Sequence, residues 1–275
     1  MISRDLKVGC LPTVMVLAIL FGPSNRSALA GDFALAVSPP RFELESKAGE
    51  RTRHVLEITN ASAEATPLTA KTADWSLSED NSVAFFDELQ PESCRPWVSL
   101  ERRELTVSAG RPYRFRFEIN PPADTQVGEC RFAIMLEGQE QVSRPQGGPA
   151  VAFSARLAVV VYAAIGGAAP VLSVIGANVQ LLNGKLTPML QVLNSGAAHG
   201  RLGGFLTGVD ASGGTLEFSP DAMPVLAGQT RSIALSASKP GDSDTEVQVK
   251  LPVTVKGKLE WGKGQSQQLD QRFSR

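Results

Sequence analysis

The sequence predicts an all-β protein of two sandwich domains joined at a hinge, and three observations carry that prediction. Apolar and polar residues alternate with period two in runs recurring about every dozen residues, and no helical period follows the N-terminal segment. Turn-forming residues separate the runs, as in a Greek-key sandwich. The length, 275 residues, exceeds one ordinary sandwich and suffices for two, each with its own core.

The first segment is expected to be a leader. Arg4 and Lys7 precede an apolar run from Val8 to Phe21, and a polar stretch then ends in Ala28-Leu29-Ala30. Basic, apolar and small-residue segments in that order predict a secretory signal over residues 1–30, cleaved after Ala30. The apolar run is shorter than the roughly 20 residues a membrane-spanning helix needs. Cys10 stands at its start, not after it, which argues against a lipidated cysteine. A protein outside the cytoplasm that is not membrane-integral is expected.

The first sandwich is expected over residues 31–164. Its clearest strand is Tyr113 to Ile119, with Tyr, Phe, Phe and Ile on one parity and Arg, Arg and Glu on the other, ended by Asn120-Pro121-Pro122. Further strands are expected at Val55 to Thr59, Leu68 to Trp75, Val83 to Phe86, Leu105 to Val107 and Phe132 to Leu136. From Gly138 to Ala150 the composition turns to Gln, Gly, Pro and Ser, a flexible loop. A long strand from Val151 to Tyr162 follows, then a hinge at Ala163-Ala164-Ile165-Gly166-Gly167.

The second sandwich is expected over residues 165–275. Strands are read at Val171 to Ile175 and Val179 to Leu182, then at Leu186 to Leu193 after an Asn183-Gly184 hairpin turn. Others follow at Phe205 to Val209, Ser232 to Ala237 and Val247 to Val255.

The charge balance, 27 Lys+Arg against 28 Asp+Glu, supplies no field to recruit nucleic acid or an anionic membrane. Catalysis would need an activated group. His54 and His199 are the two histidines, and no Ser or Cys motif accompanies either. Glu43 and Glu45 alternate with Phe42 and Leu44, as on an exposed strand face, and the pairs Gly203-Gly204 and Gly213-Gly214 read as turns. Arg102-Arg103, Arg114 and Arg116 are local basic spots. A non-enzyme without metal or cofactor is expected. After leader removal Cys94 and Cys130 remain. A disulfide between them closes a loop of roughly 36 residues and contributes about 4 kcal/mol; the alternative is two buried free thiols.

Several segments, in order, resemble the periplasmic chaperones of pilus assembly. They are Val37-Ser38-Pro39-Pro40-Arg41 leading into Phe42 to Gly49, Leu56-Glu57-Ile58-Thr59-Asn60, and Cys94-Arg95-Pro96-Trp97-Val98. In the second half they are Leu193-Asn194-Ser195-Gly196 with His199 and Leu202-Gly203, and Met223 through Arg231. The resemblance implies a boomerang of two immunoglobulin-like domains that folds pilin-like subunits and hands them to an outer-membrane usher. A subunit lacking its last strand exposes a groove and two unpaired edges, and the chaperone lends a strand to complete it.

The strand from Val151 to Tyr162 lies where that family has its donated strand. Val151, Phe153, Ala155 and Leu157 then fill the subunit's pockets, although a fully buried sandwich strand would show the same alternation. The resemblance places Arg41 as the guanidinium that binds the subunit's terminal carboxylate. Its partner, a Lys in the family, corresponds to Arg156 in one register and Ala158 in another. The family's Tyr-Arg-Pro strand ending is replaced by Tyr162-Ala163-Ala164. The alternative to strand donation is a non-catalytic envelope adaptor of the same fold.

Overall fold

The computed structural model describes residues 34–91, 93–143, 148–262 and 264–274, with backbone alone at 141–143, 151, 153, 243 and 244. The expected leader lies outside the described residues. The first half contains β1 Leu35–Ser38, β2 Arg41–Ser46, β3 Thr52–Asn60, β4 Thr66–Leu77, β5 Val83–Phe86, β6 Val98–Leu100 and β7 Glu104–Val107. It continues with β8 Tyr113–Ile119, β9 Gly128–Gly138, β10 Gln141–Ser143, β11 Val151–Phe153 and β12 Arg156–Ile165. The second half contains β13 Leu172–Leu182, β14 Lys185–Asn194, β15 Gly203–Val209, β16 Thr215–Pro220 and β17 Thr230–Lys239. It ends with β18 Asp242–Glu246, β19 Val253–Trp261 and β20 Gln265–Phe273. A 3-10 turn at Arg95–Trp97 is the one helical element among the described residues.

The first sandwich stacks sheet β1-β3-β8-β6 on sheet β2-β12-β9-β4-β5, with β7 also pairing β4. Its core takes Leu56 and Ile58 from β3, Phe115, Phe117 and Ile119 from β8, Phe132, Ile134 and Leu136 from β9, and Val159 and Val161 from β12. On β8 these residues are buried while Arg114 and Arg116 are exposed, so the alternation reports one face on the core and one in water. Each such buried Phe or Ile contributes about 1.5–3 kcal/mol. Cys94 and Cys130 form a disulfide with Cα atoms 5.7 Å apart, tying the segment before the 3-10 turn to β9.

In the second sandwich the strand order is β13-β14-β17-β16-β15-β19-β20, with β18 on β17. The end strands β13 and β20 meet where Val174 N–H donates to Gln267 Oε1 at 3.1 Å. They enclose a separate core that includes Leu190, Val192, Phe218, Ile233, Val255 and Phe273. The Asn183-Gly184 turn is present, both residues at positive φ, closing the β13–β14 hairpin at Leu182 and Lys185.

Four expectations are corrected. Val151 to Tyr162 is two strands, β11 and β12, interrupted at Ser154 and Ala155. Ala163 and Ile165 are buried in the first core, so β12 runs on to Ile165 and the chain turns only at Gly166 and Gly167, at φ 66° and 82°. The stretches around Val171 to Ile175 and Val179 to Leu182 form one strand, β13, with a register shift between Val174 and Gly176. Val247 to Val255 is a strand only from Val253, because Pro252 offers no N–H to a ladder; Val249 is apolar because it fills the second core.

Candidate functional site

Two features adjoin one another on the first sandwich: an uncovered strand edge and a polar cluster in the cleft beside the second sandwich. Along β12 one edge is fully covered by antiparallel β9, from Arg156 opposite Glu137 to Ile165 opposite Gly128. The other edge is covered by parallel β2, but only from Val160 opposite Arg41 to Ile165 opposite Ser46. Among the described residues β11 pairs with β10 alone. From Val151 to Val159 this second edge therefore has no ladder partner among the described residues, a length of about 30 Å.

Side-chain parity continues along that track. Val159, Val161, Ala163 and Ile165 are buried in the first core and Leu157 packs against it half-buried. Ala155 is half-buried between the strands, its carbonyl accepting from Gly138 N–H at 2.9 Å. Val151 and Phe153 are placed on β11 by backbone. The opposite parity carries exposed Arg156, half-buried Ala158 and Val160, and buried Tyr162. Ala158 and Val160 pack beside Trp75, Ala73 and Met135.

The cleft, about 610 Å³, is lined by Glu43 of β2, Glu129 of β9, Tyr162 of β12, and Ala198, His199 and Arg201 of the loop between β14 and β15. Glu43 Oε1 accepts from Arg41 Nε at 2.8 Å and from Arg201 Nε at 3.3 Å, with His199 Nε2 at 3.7 Å. Burial raises the Glu43 pKa, but the Arg41 hydrogen bond and the charges of His199, Arg201 and Arg41 outweigh it and leave the carboxyl below its ordinary value. His199 pairs through its backbone N–H and its Nδ1 with Glu129 Oε2, whose side chain is 4% exposed.

Tyr162 joins these groups to the apolar contact between the sandwiches. Its ring stacks on His199 at 3.8 Å, meets Trp75 edge-on at 5.4 Å, and has the Arg201 guanidinium 5.6 Å above it. Burial raises the Tyr162 pKa. Leu77 and Leu226 complete the apolar contact. Beside it Arg231 donates to Asn81 Oδ1 at 2.6 Å and to the Ser78 carbonyl at 3.0 Å.

The structure does not bring Arg41 and Arg156 together. Arg41 sits opposite Val160, four residues along β12 from Arg156, or roughly 13 Å. Arg156 instead pairs with Glu137 at 3.1 Å, a carboxylate shared with Lys71 at 3.0 Å. The group that joins Arg41 is Arg201. No sequence signal marks it: the Arg201–Glu43 bond spans 158 residues. His199 is half-buried in this cluster. Among the described residues no group of three or more His, Cys, Asp or Glu could hold a metal ion, and no helix is long and apolar enough to cross a membrane.

No protein-family model matches the sequence, and neither does any curated protein sequence. Solved structures of fimbrial chaperones align over most of the chain. The YadV chaperone is 11% identical over 87% of this chain and 99% of its own, with TM-score 0.46. The CsuC–CsuE chaperone–tip adhesion subunit complex of Acinetobacter baumannii is 14% identical over 87% and 98%, with TM-score 0.44. The SafB chaperone complex with SafA pilin of Salmonella enterica is 11% identical over 87% and 97%, also with TM-score 0.44. Overlaps this loose carry no argument for this chain's activity, and the functional reading rests on its own residues.

Proposed function

We propose that this chain is a periplasmic, non-enzymatic chaperone that binds a pilin-like subunit by lending it the edge from Val151 to Val159. The observation that carries the reading is the abrupt end of the β2 ladder at Arg41: N-terminal to Val160 the edge of β12 and β11 has no ladder partner among the described residues. Unpaired N–H and C=O groups along such an edge are a template for an added strand. Val151, Phe153, Ala155 and Leu157 are the residues that would alternate into a subunit's pockets.

Orientation supports carboxylate anchoring. β2 runs parallel to β12 and starts at Arg41. A client strand lying parallel on the open edge, in line with β2, would arrive at Arg41 with its C-terminus. Arg41 is then the anchor for the terminal carboxylate, while Arg156, farther along the strand, flanks the client's backbone. Transfer to an outer-membrane usher and pilus assembly at the cell surface belong to the same reading.

The test is co-purification from periplasmic extract of the wild type beside Arg41→Ala and Phe153→Asp. Recovery of a small pilin-like protein with the wild type, lost in folded forms of both variants, is the expected result. A partner retained equally by all three would instead make the chain an envelope adaptor that donates no strand.

A further inference from the structure

Arg41 and Arg201 reach the same carboxylate oxygen from different sandwiches. The two cations are held differently. Arg201 has supports independent of Glu43: its Nη1 donates to the Ala222 carbonyl at 2.8 Å, its guanidinium lies over the Tyr162 ring, and its side chain is 19% exposed. Arg41 is 49% exposed at the point where the open edge ends. Glu43 is itself 45% exposed, two residues along the same outward face of β2, so its carboxylate has room to swing into solvent. If it does, Arg201 stays in place beside Arg41, and the cleft presents two guanidinium groups to whatever anion replaces it.

We propose that Arg201 is the second cation of the client-carboxylate site, and that Glu43 fills this site from within the chain until a client's terminal carboxylate displaces it. The proposal rests on the strand-donation reading and extends it. It assigns the role of the absent donor-strand Lys to the second sandwich, so that client binding exchanges one carboxylate for another across the cleft. A carboxylate held by two guanidinium groups receives charge-assisted bonds in a partly buried setting, where each is stronger than a neutral one. Exchange keeps both cations paired, so neither is left desolvated without a partner. Removing the Glu43 charge should therefore favour a carboxylate-bearing client specifically.

The probe is a fluorescein-labelled peptide of alternating valine and threonine, about nine residues long to match the open edge, made with a free C-terminal carboxylate and as the C-terminal amide. Binding is followed by fluorescence anisotropy for the wild type, Arg201→Gln, Arg201→Met, Arg201→Lys, Arg41→Gln and Glu43→Gln. The wild type is expected to prefer the acid by about tenfold, the range of a charge-assisted pair. Arg201→Gln and Arg201→Met should abolish that preference as Arg41→Gln does, and Arg201→Lys should restore much of it. Glu43→Gln should tighten the acid severalfold and leave the amide within about twofold of wild type.

Amide binding reports an intact edge in each preparation, and Arg201→Met keeps an unbranched aliphatic side chain in the half-buried cleft should the Gln variant fold poorly. A preference that survives both neutral variants but is lost in Arg41→Gln would overturn the role of Arg201 and leave strand donation standing. An unchanged acid affinity in Glu43→Gln would overturn the displacement step. If the wild type bound neither peptide, strand donation itself would fall, and this inference with it.

Discussion

The imidazole of His199 lies against the phenol ring of Tyr162 with centroids 3.8 Å apart, and its Nδ1 faces Glu129 Oε2. One side chain of the second sandwich thus caps both an aromatic ring and a nearly buried carboxylate of the first. His199→Ala should cost about 1–3 kcal/mol, chiefly because the nearly buried Glu129 loses the imidazole and keeps only the backbone N–H of residue 199 and Arg131 Nε at 3.9 Å. Urea unfolding of His199→Ala, Glu129→Gln and the double variant checks this. The double variant should be more stable than the sum of the single losses predicts; strict additivity would mean the two groups do not act as a pair.

Acid should erase the contribution of Glu43. Its pKa is depressed in the folded protein, so the stabilisation is fully present above the unfolded value of about 4.3 and is lost as pH falls through the folded value. Glu43→Gln lacks this component. The gap in urea midpoint between wild type and Glu43→Gln should be open at neutral pH and close below about pH 4. A gap of the same size in acid would show that the carboxylate's charge contributes nothing to the fold.

Strands with a long alternation between one face in a core and the other in water are the most legible, whereas short β16 meets the condition with only Leu216 and Phe218 and is not read. β8 meets it and its bounds were read directly, with Phe115, Phe117 and Ile119 inward. β20 was missed because only Leu269 and Phe273 of its nine residues are buried, among Gln, Ser, Asp and Arg. Val247, Val249 and Leu251 imitate strand alternation, yet they lie in irregular chain before Pro252. The open edge was foreshadowed by the alternation of Val151 to Leu157, but its extent depends on where β2 stops, a fact of pairing that no local pattern carries. The cleft was the least legible part. Glu129 and Arg201 are marked by no pattern in sequence, and topology alone brings them to Glu43, Tyr162 and His199.

Reduction should weaken the first sandwich. Cys94 and Cys130 are separated by 36 residues, and the loop-entropy argument assigns their bond about 4 kcal/mol. Replacing both by Ser, or unfolding in the presence of dithiothreitol, should lower stability by about that amount. A loss below about 1 kcal/mol would mean that the reduced chain is already constrained in its unfolded state.

Gly196 sets how closely the His199 and Arg201 loop approaches the chain that links the sandwiches. A Cβ at this position would lie 2.4 Å from the Ala169 carbonyl oxygen and 2.4 Å from Val171 N, both backbone atoms that cannot turn aside. Gly196→Ala should therefore cost about 1–3 kcal/mol, the range of overpacking, and push the loop away from Tyr162 and Glu43. The acid-over-amide peptide preference should fall in this variant while amide binding persists. An unchanged preference would separate the loop's position from carboxylate recognition.

Two aspartate substitutions on one parity distinguish a strand lent to a client from one that merely fills its own sandwich. Val159 is fully buried in the first core, so Val159→Asp places a carboxylate where no cation or water reaches it and should cost more than about 3 kcal/mol. Phe153 lies on β11, which among the described residues pairs with β10 alone. If the alternation from Val151 to Leu157 serves a client, Phe153→Asp should leave the thermal midpoint within a few degrees of wild type and abolish capture of the partner. Equal destabilisation by the two substitutions would mean that Phe153 fills the protein's own core, and the strand would then have nothing to lend. Thermal unfolding read beside pull-down recovery decides between these outcomes, because the two roles of the same alternating pattern predict opposite pairs of results.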